Sequence, residues 1–196
     1  MHPRARRKAV YVAVMTFLWT LLGCAGGGRP QEEGLSGLPE EPVTVAVIPV
    51  RELRSQFGRA SSENPFLTPK PLIRHKPVDF IVLRLKVLGA TELELLQADA
   101  VDEAGKIFAS FYPKNKFVDL VKFYSRHEQD AMTKTNKIGW YYLPAQRMRV
   151  PSGSHSYILV LVGKPPLPEK VIARVRLLVA NEEKSFEIPV NVAESI

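Results

Sequence analysis

The feature that most constrains the fold is the alternation of apolar and basic residues in DFIVLRLKVLG, residues 79–89. Apolar side chains stand at positions 81, 83, 85 and 87, and Arg84 and Lys86 fall between them. Because successive side chains of a strand point to opposite faces, this period of two predicts a β-strand with one buried and one polar face. A chain with such strands needs a second layer to cover the apolar face of its sheet.

Further strands with turn signals between them follow this pattern. Residues 92–112 form a predicted hairpin, because DEAG places Asp102 and Gly105 at the first and fourth positions that a type I turn prefers. Other strands are predicted at VTVAVIPV, GWYYLPAQRMRV, SYILVLVG, VIARVRLLVA and SFEIPVNV. Strands of this length and spacing predict a mainly β domain, a β-sandwich of about seven to eight strands.

One segment, NKFVDLVKFYSRHEQDAM, departs from the strand pattern. Its apolar residues recur at near-helical spacing from Phe117 to Ala131, and Asn115 can cap the start. The sequence therefore predicts one amphipathic helix, over about residues 115–132, inserted between strands.

From Asp79 to Val192, the order of these signals resembles the immunoglobulin-like domains of exported bacterial proteins. The shared features are a long strand, a hairpin around D-x-x-G, and P-x-G before an apolar strand. The matching positions are Asp102, Gly105, Pro151 and Gly153. This resemblance implies an immunoglobulin-like sandwich in which the helix is an insertion.

The N-terminal segment has the order of a secretory signal. Four basic residues within positions 4–8 precede an apolar run over residues 9–22, and Cys24, the one cysteine of the chain, follows. GGGRPQEEG comes too soon for a bilayer-spanning helix, which needs about 20 apolar residues. Residues 1–23 are therefore predicted to be exported and removed.

The stretch LLGC, residues 21–24, resembles the lipobox of bacterial lipoprotein precursors. The resemblance implies that Cys24 is lipidated and becomes the first residue of the mature protein. The alternatives are an uncleaved anchor or an ordinary signal peptide with an incidental cysteine. In such precursors, an Asp directly after the cysteine would suggest retention in the inner membrane, and here Ala25 follows Cys24. The resemblance therefore implies the periplasmic face of the outer membrane, if the cell has two membranes.

Composition bounds the remaining domains and partners. Residues 24–41 are rich in Gly, Pro and Glu and predict a flexible tether, which leaves residues 42–196 for the sandwich. The formal charge of +7 falls to +3 without residues 1–23, which hold four basic and no acidic side chains. We therefore expect no nucleic-acid partner.

Catalytic and metal-binding patterns are weak. His75, His127 and His155 lie far apart in different predicted elements, and no pair has the spacing of metal ligands on a helix. The serines around Gly153 are explained by a turn rather than by a nucleophile elbow. We therefore expect no metal, no cofactor and no catalytic residue.

Two patterns suggest an interaction surface. Trp140, Tyr141 and Tyr142 are consecutive aromatics, of which a strand would expose at least one, although core packing explains them as well. The two members of a basic pair spaced by two would project to the same face of a strand. If the strands share a sheet, the pairs together would form a cationic surface. Alternatively, they are ordinary polar positions. The pairs are Arg84 with Lys86, Arg147 with Arg149, and Arg174 with Arg176.

These features favour a lipid-anchored envelope protein that acts as a non-catalytic binding or assembly component. Its expected partners are the membrane, through acylated Cys24, and an envelope protein. One alternative is a lipoprotein that binds a glycan or small ligand through the aromatic segment. Another is an envelope enzyme, which would need His127 or His155 to converge with carboxylates.

Replacing Cys24 with Ser tests the lipobox. We expect the native protein to carry acyl chains in its intact mass and to sediment with membranes, because two or more acyl chains give stable anchoring. The Cys24→Ser protein should lack the added mass and leave the membrane fraction. An unmodified, soluble native protein would contradict the lipobox interpretation and, with it, the predicted location.

Overall fold

A computed structural model describes residues 41–67, 77–125 and 127–195 of the chain. The predicted signal peptide, Cys24 and nearly all of the predicted tether lie outside these residues, as does His75. In chain order, the elements are β1 (Val43–Val47), α1 (Val50–Phe57), β2 (Asp79–Leu88), β3 (Thr91–Val101), β4 (Ile107–Phe111), α2 (Lys114–Tyr124), α3 (Glu128–Tyr141), β5 (Met148–Val150), β6 (Ser154–Gly163), β7 (Lys170–Val179), β8 (Glu182–Asn191) and α4 (Val192–Ser195).

The described strands form one antiparallel sheet in the order β1-β2-β6-β4-β3-β7-β8, with β5 paired to β3. Strand β4 hydrogen-bonds both β3 and β6, so it connects a layer of β1, β2 and β6 to a layer of β3, β7 and β8. The terminal strands of this order, β1 and β8, also approach each other, so the sheet nearly closes. This strand order is that of an immunoglobulin-like sandwich, and the predicted mainly β fold is confirmed.

The predicted hairpin is also present, as β3 and β4. Asp102 closes its turn twice: its carbonyl accepts from the Gly105 amide at 3.0 Å and its carboxylate accepts from the Lys106 amide at 2.8 Å. Gly105 has a φ of +81°, a conformation that is strained for residues with a Cβ. The Asp and Gly at these positions therefore have the local roles that the sequence predicts.

Strands β2 and β6 are each buried on both faces over four consecutive residues, Phe80–Leu83 and Ile158–Leu161. Their inner rows, which include Ile81 and Leu159, belong to the core between the two layers. Their outer rows, which include Phe80, Val82 and Val160, belong to a second core. A strand with two buried faces requires a covering layer on each side, and here the outer layer is helical.

The second core centres on Phe117 of α2, which is completely buried. Its ring stacks on Phe66 with centroids 5.9 Å apart and meets Phe80 of β2 edge-on at 5.5 Å. Leu53 of α1 and Ile138 of α3 are completely buried in the same core. All three helices therefore pack on the outer face of β2 and β6.

A buried amide fixes residues 58–66, which follow α1. Asn64 is 1% exposed, and its side-chain nitrogen donates to the carbonyls of Leu53 and Gly58 at 2.7 and 3.0 Å. Its side-chain oxygen accepts from the Phe66 amide at 2.9 Å. Because buried polar groups need such partners, Asn64 holds Phe66 against the end of α1.

The predicted helical insert needs correction. Over the described part of the expected range 115–132 there are two helices, and α3 continues to Tyr141. The predicted strand GWYYLPAQRMRV is therefore wrong over its first residues, because Lys134, Ile138 and Tyr142 are buried at helical spacing of four. Helix α1 was not predicted. Among the described residues, no helix is long and apolar enough to span a bilayer.

Truncating Phe117 tests whether the helical layer contributes to stability. We expect Phe117→Ala to lower the free energy of unfolding by about 3–5 kcal/mol, because a large buried ring is replaced by a cavity. Phe123→Ala is the matched control on the same helix, since Phe123 is 55% exposed, and should cost no more than about 1 kcal/mol. Urea unfolding measures both; equal costs would show that α2 does not pack on the sheet as described.

Candidate functional site

The candidate site is a cleft on the outer face of β2 and β6, beyond the edge of the helical layer. It has a volume of about 530 Å³, within the range of ligand-binding clefts. Its walls come from the end of α1 and the end of α3, and its floor comes from the two strands. The lining residues are Gln56, Phe57, Arg84, Lys86, Tyr141, Ser156, Tyr157 and Ile158.

The alternation in β2 explains why the cleft is basic. Phe80, Val82, Arg84 and Lys86 are spaced by two, so they share the outer face of the strand. The helices cover Phe80 and Val82, whereas Arg84 and Lys86 are only half-buried. On β6, Ile158 pairs with Arg84 and Ser156 pairs with Lys86. The floor therefore changes from apolar to cationic where the helical cover ends.

Helix α1 fixes one of the two cations. The Nη2 of Arg84 lies 2.5 Å from Oε1 of Glu52, and Gln56 donates to the same carboxylate oxygen at 2.9 Å. The side chains of Arg84 and Glu52 are about one third exposed. This ion pair orients the guanidinium along the cleft and leaves it in contact with solvent.

Helix α3 supplies the opposite wall. The ring of Tyr141 meets that of Phe57 edge-on, with centroids 5.4 Å apart, and it remains 46% exposed. Lys137, one helical turn earlier, donates to the Phe57 carbonyl at 2.6 Å and to the Glu63 carbonyl at 3.3 Å. These contacts hold the end of α3 against the end of α1, so the distance between the walls is fixed.

The three consecutive aromatics have three different environments. Trp140 is 85% exposed at the end of α3, and Tyr141 lines the cleft. Tyr142 is buried, and its hydroxyl donates to the Tyr112 carbonyl. Burial raises the pKa of Tyr142 far above its ordinary value, so its phenol stays protonated at neutral pH.

The other basic residues do not extend the cleft, which corrects the expectation of one cationic surface. Arg174 and Arg176 lie on β7, which is separated from β2 by three strands in the sheet order. They pair with carboxylates of β8, Glu187 at 3.0 Å and Glu183 at 2.8 Å. The spacing within β7 is as predicted, but these acidic cross-strand neighbours offset the charge of this face.

The third basic pair is divided as well. Arg147 precedes β5 and pairs with the Glu92 carboxylate, while it also donates to the Asn181 side chain at 2.7 Å. Arg149 lies on β5 and is exposed. Of the residues predicted as an interaction surface, the structure thus brings together Arg84, Lys86 and Tyr141.

The sequence interpretation missed the wall formed by α1. Glu52, Gln56 and Phe57 belong to this helix. A signal was available, because Val50, Leu53 and Phe57 have the spacing of one helical face and Pro49 precedes them.

Histidines and carboxylates in the described residues are dispersed. Groups of three or more His, Cys, Asp or Glu that could hold a metal ion do not occur among them. His127 caps the start of α3, whereas His155 on β6 lies 3.3 Å from the Ser152 carbonyl through its Nε2.

Comparisons with known proteins add little to this geometry. No protein-family model matches the chain, and no curated protein matches it. Among solved structures, it is similar to the crystal structure of FixG-related protein from Vibrio parahaemolyticus, with 12% identity over 77% of this chain and 94% of that chain and a TM-score of 0.34. A likeness at that TM-score supports no statement about the function of this chain.

Adding a methyl group at Gly58 tests the α1 wall. Gly58 has φ +115° and ψ 154°, a region that is almost restricted to glycine. A Cβ there would also lie 2.6 Å from Oε2 and 3.0 Å from Cβ of Glu63. We expect Gly58→Ala to cost at least about 1 kcal/mol more than Gly105→Ala in urea unfolding. Gly105 has a φ of +81° and no atom within 4 Å of an added Cβ, so equal costs for the two variants would contradict this local geometry.

Proposed function

We propose that this chain is an exported, lipid-anchored envelope protein whose sandwich domain binds a protein partner, without catalysis, through the cleft between α1 and α3. The observation that carries the proposal is the convergence of Arg84, Lys86 and Tyr141 in one concave site. Arg and Tyr are enriched among the residues that dominate binding at protein interfaces, and the positive charge of Lys86 favours a partner of complementary charge.

The packing around the cleft supports a role in recognition. Arg84 is oriented by Glu52, and Tyr141 is positioned by Phe57 and by the hydrogen bond from Lys137 to the Phe57 carbonyl. Side chains that are already ordered lose less conformational entropy when a partner binds. The site is therefore preorganised for a ligand that brings negative charge and apolar surface together.

Membrane anchoring would place this cleft near other envelope components. In the proposal, Cys24 holds the protein at the membrane and residues 24–41 connect it to the sandwich. A flexible linker of that length has a root-mean-square span on the order of 20–25 Å. The domain could then search for a partner close to the membrane surface, and tethering raises the effective concentration of that partner.

A glycan is the second candidate ligand. The half-exposed ring of Tyr141 lines the concave surface, where it could stack on a sugar, while Ser156 and Gln56 offer hydrogen bonds. A bound glycan would keep the cleft as the site and change the chemical class of the partner.

Site-specific photo-cross-linking in cells tests the proposal. A photo-reactive residue at Ser156 should give a discrete adduct with an envelope protein, because Ser156 lies exposed on the cleft floor. The same residue at Ser185 is the matched control, since Ser185 is an exposed serine on β8 in the other layer.

The adduct at Ser156 should disappear in the Arg84→Gln/Lys86→Gln protein, while membrane fractionation stays unchanged. Equal labelling from Ser156 and Ser185, or none from Ser156, would refute a partner site in the cleft. An adduct with the mass of a saccharide would replace the protein partner with the glycan.

A further inference from the structure

Resting on the proposed function, we further propose that the partner presents an extended acidic peptide to the cleft. Two carboxylates spaced by two residues would face Arg84 and Lys86, and an apolar side chain beside them would contact Phe57 and Tyr141. The occupant is thus a strand-like segment of a protein, defined by its charge spacing.

The spacing of the two cations carries this inference. Arg84 and Lys86 alternate on one face of β2, so their Cα atoms are separated by two strand residues, about 6.6–6.8 Å. An extended peptide repeats its side chains on one face with the same period. Carboxylates at positions i and i+2 of a peptide lying along β2 would therefore meet both cations at once.

The cleft already shows how a carboxylate binds there. Glu52 reaches Arg84 through one nitrogen, Nη2, at 2.5 Å. A guanidinium carries five N–H donors in a planar fork, so a second carboxylate can bind the remaining donors. Glu52 is then both an orienting group for Arg84 and a competitor for the incoming carboxylate.

The rest of the lining matches a peptide rather than a bare ion. Phe57, Ile158 and the ring of Tyr141 provide apolar surface next to the cations. The Ser156 hydroxyl, on the same face as the cations, can donate to a peptide carbonyl group. An apolar residue two positions from an acidic residue projects to the same face of an extended peptide and so satisfies both parts of the cleft.

The recessed position of the site disfavours a membrane surface as the occupant. The Arg84 side chain is 31% exposed on a floor walled by α1 and α3. A planar bilayer contacts protruding groups, whereas a single extended chain can enter between two walls. Lipid headgroups and anionic glycans therefore serve as competing outcomes of the test.

The test uses the detergent-purified full chain and a fluorescein-labelled peptide, Gly-Leu-Glu-Ser-Glu-Ser-Phe-Gly, in fluorescence anisotropy. Its two glutamates and its phenylalanine share one face of the extended chain. The control peptide, Gly-Leu-Ser-Glu-Glu-Ser-Phe-Gly, has the same composition with adjacent glutamates. We expect the first peptide to bind at least about fivefold more tightly, because adjacent side chains of an extended chain point to opposite sides.

The protein variants locate the binding site. Arg84→Gln/Lys86→Gln should weaken the first peptide by at least about tenfold, since it removes both charge-assisted contacts. Arg174→Gln/Arg176→Gln removes the same charge from β7 and should leave binding unchanged. Glu52→Gln should strengthen binding by about threefold, because it removes the competing carboxylate while an amide can still contact Arg84.

Several results would overturn the inference. These are equal affinity for the two peptides, equal weakening by the two double variants, or weaker binding in Glu52→Gln. Saturable binding of phosphatidylglycerol vesicles or polygalacturonate through Arg84 and Lys86, with no peptide binding, would do so as well. If the Arg84→Gln/Lys86→Gln protein fails to fold, the affinity of Glu52→Gln for the first peptide still tests whether a peptide carboxylate binds Arg84.

The two proposals fail separately. If the peptide does not bind but the Ser156 adduct with an envelope protein forms and depends on Arg84 and Lys86, the partner is real and its acidic character is wrong. If neither is observed, the cleft is not the functional site and both proposals fall.

Discussion

The structure depends on the burial of β2 and β6 on both faces. Inner residues such as Leu83 and Leu159 fill the space between the two layers, while outer residues such as Phe80 and Val160 need a second cover. Leaving those outer side chains in water would forgo about 1.5–3 kcal/mol for each of them. The helices between β4 and β5, together with α1, satisfy this requirement, and Phe117 is the side chain that joins them to the sheet.

The cleft exists because that cover stops partway along the strands. The outer row of β2 changes from Val82, which needs an apolar cover, to Arg84, which does not. At this point the ends of α1 and α3 no longer cover the strands and instead line the sides of the cleft. The same alternation that builds the sandwich therefore exposes two cations at a fixed spacing. In the opposite layer, Arg174 and Arg176 lie on an exposed face and pair with carboxylates of the neighbouring strand β8.

Much of the fold could be predicted from local patterns. Alternation identified β2, and Asp102 with Gly105 located the hairpin, because both signals act within a few residues. A strand was predicted at Trp140 because aromatic residues favour strands. That prediction was wrong, because burial of Ile138 and Tyr142 at helical spacing stabilises a helix instead. Which cations share a cleft, and which element supplies the paired carboxylate, depends on neighbours from distant parts of the chain. Spacing along the chain could therefore not separate Arg84, which pairs with Glu52 of α1, from Arg174, which pairs with Glu187 of β8.

The central claim is that α3 is a helix seated on the outer face of the sheet, where it forms one wall of the cleft. Lys134 of α3 is 5% exposed, and burial lowers its pKa, so it would be a reactive amine if reagents could reach it. Brief acetylation of the native protein, followed by mass spectrometry, should modify Lys134 at least about tenfold more slowly than exposed Lys122 of α2. Modification of the two lysines at the same rate would contradict the seated helix and the cleft that depends on it.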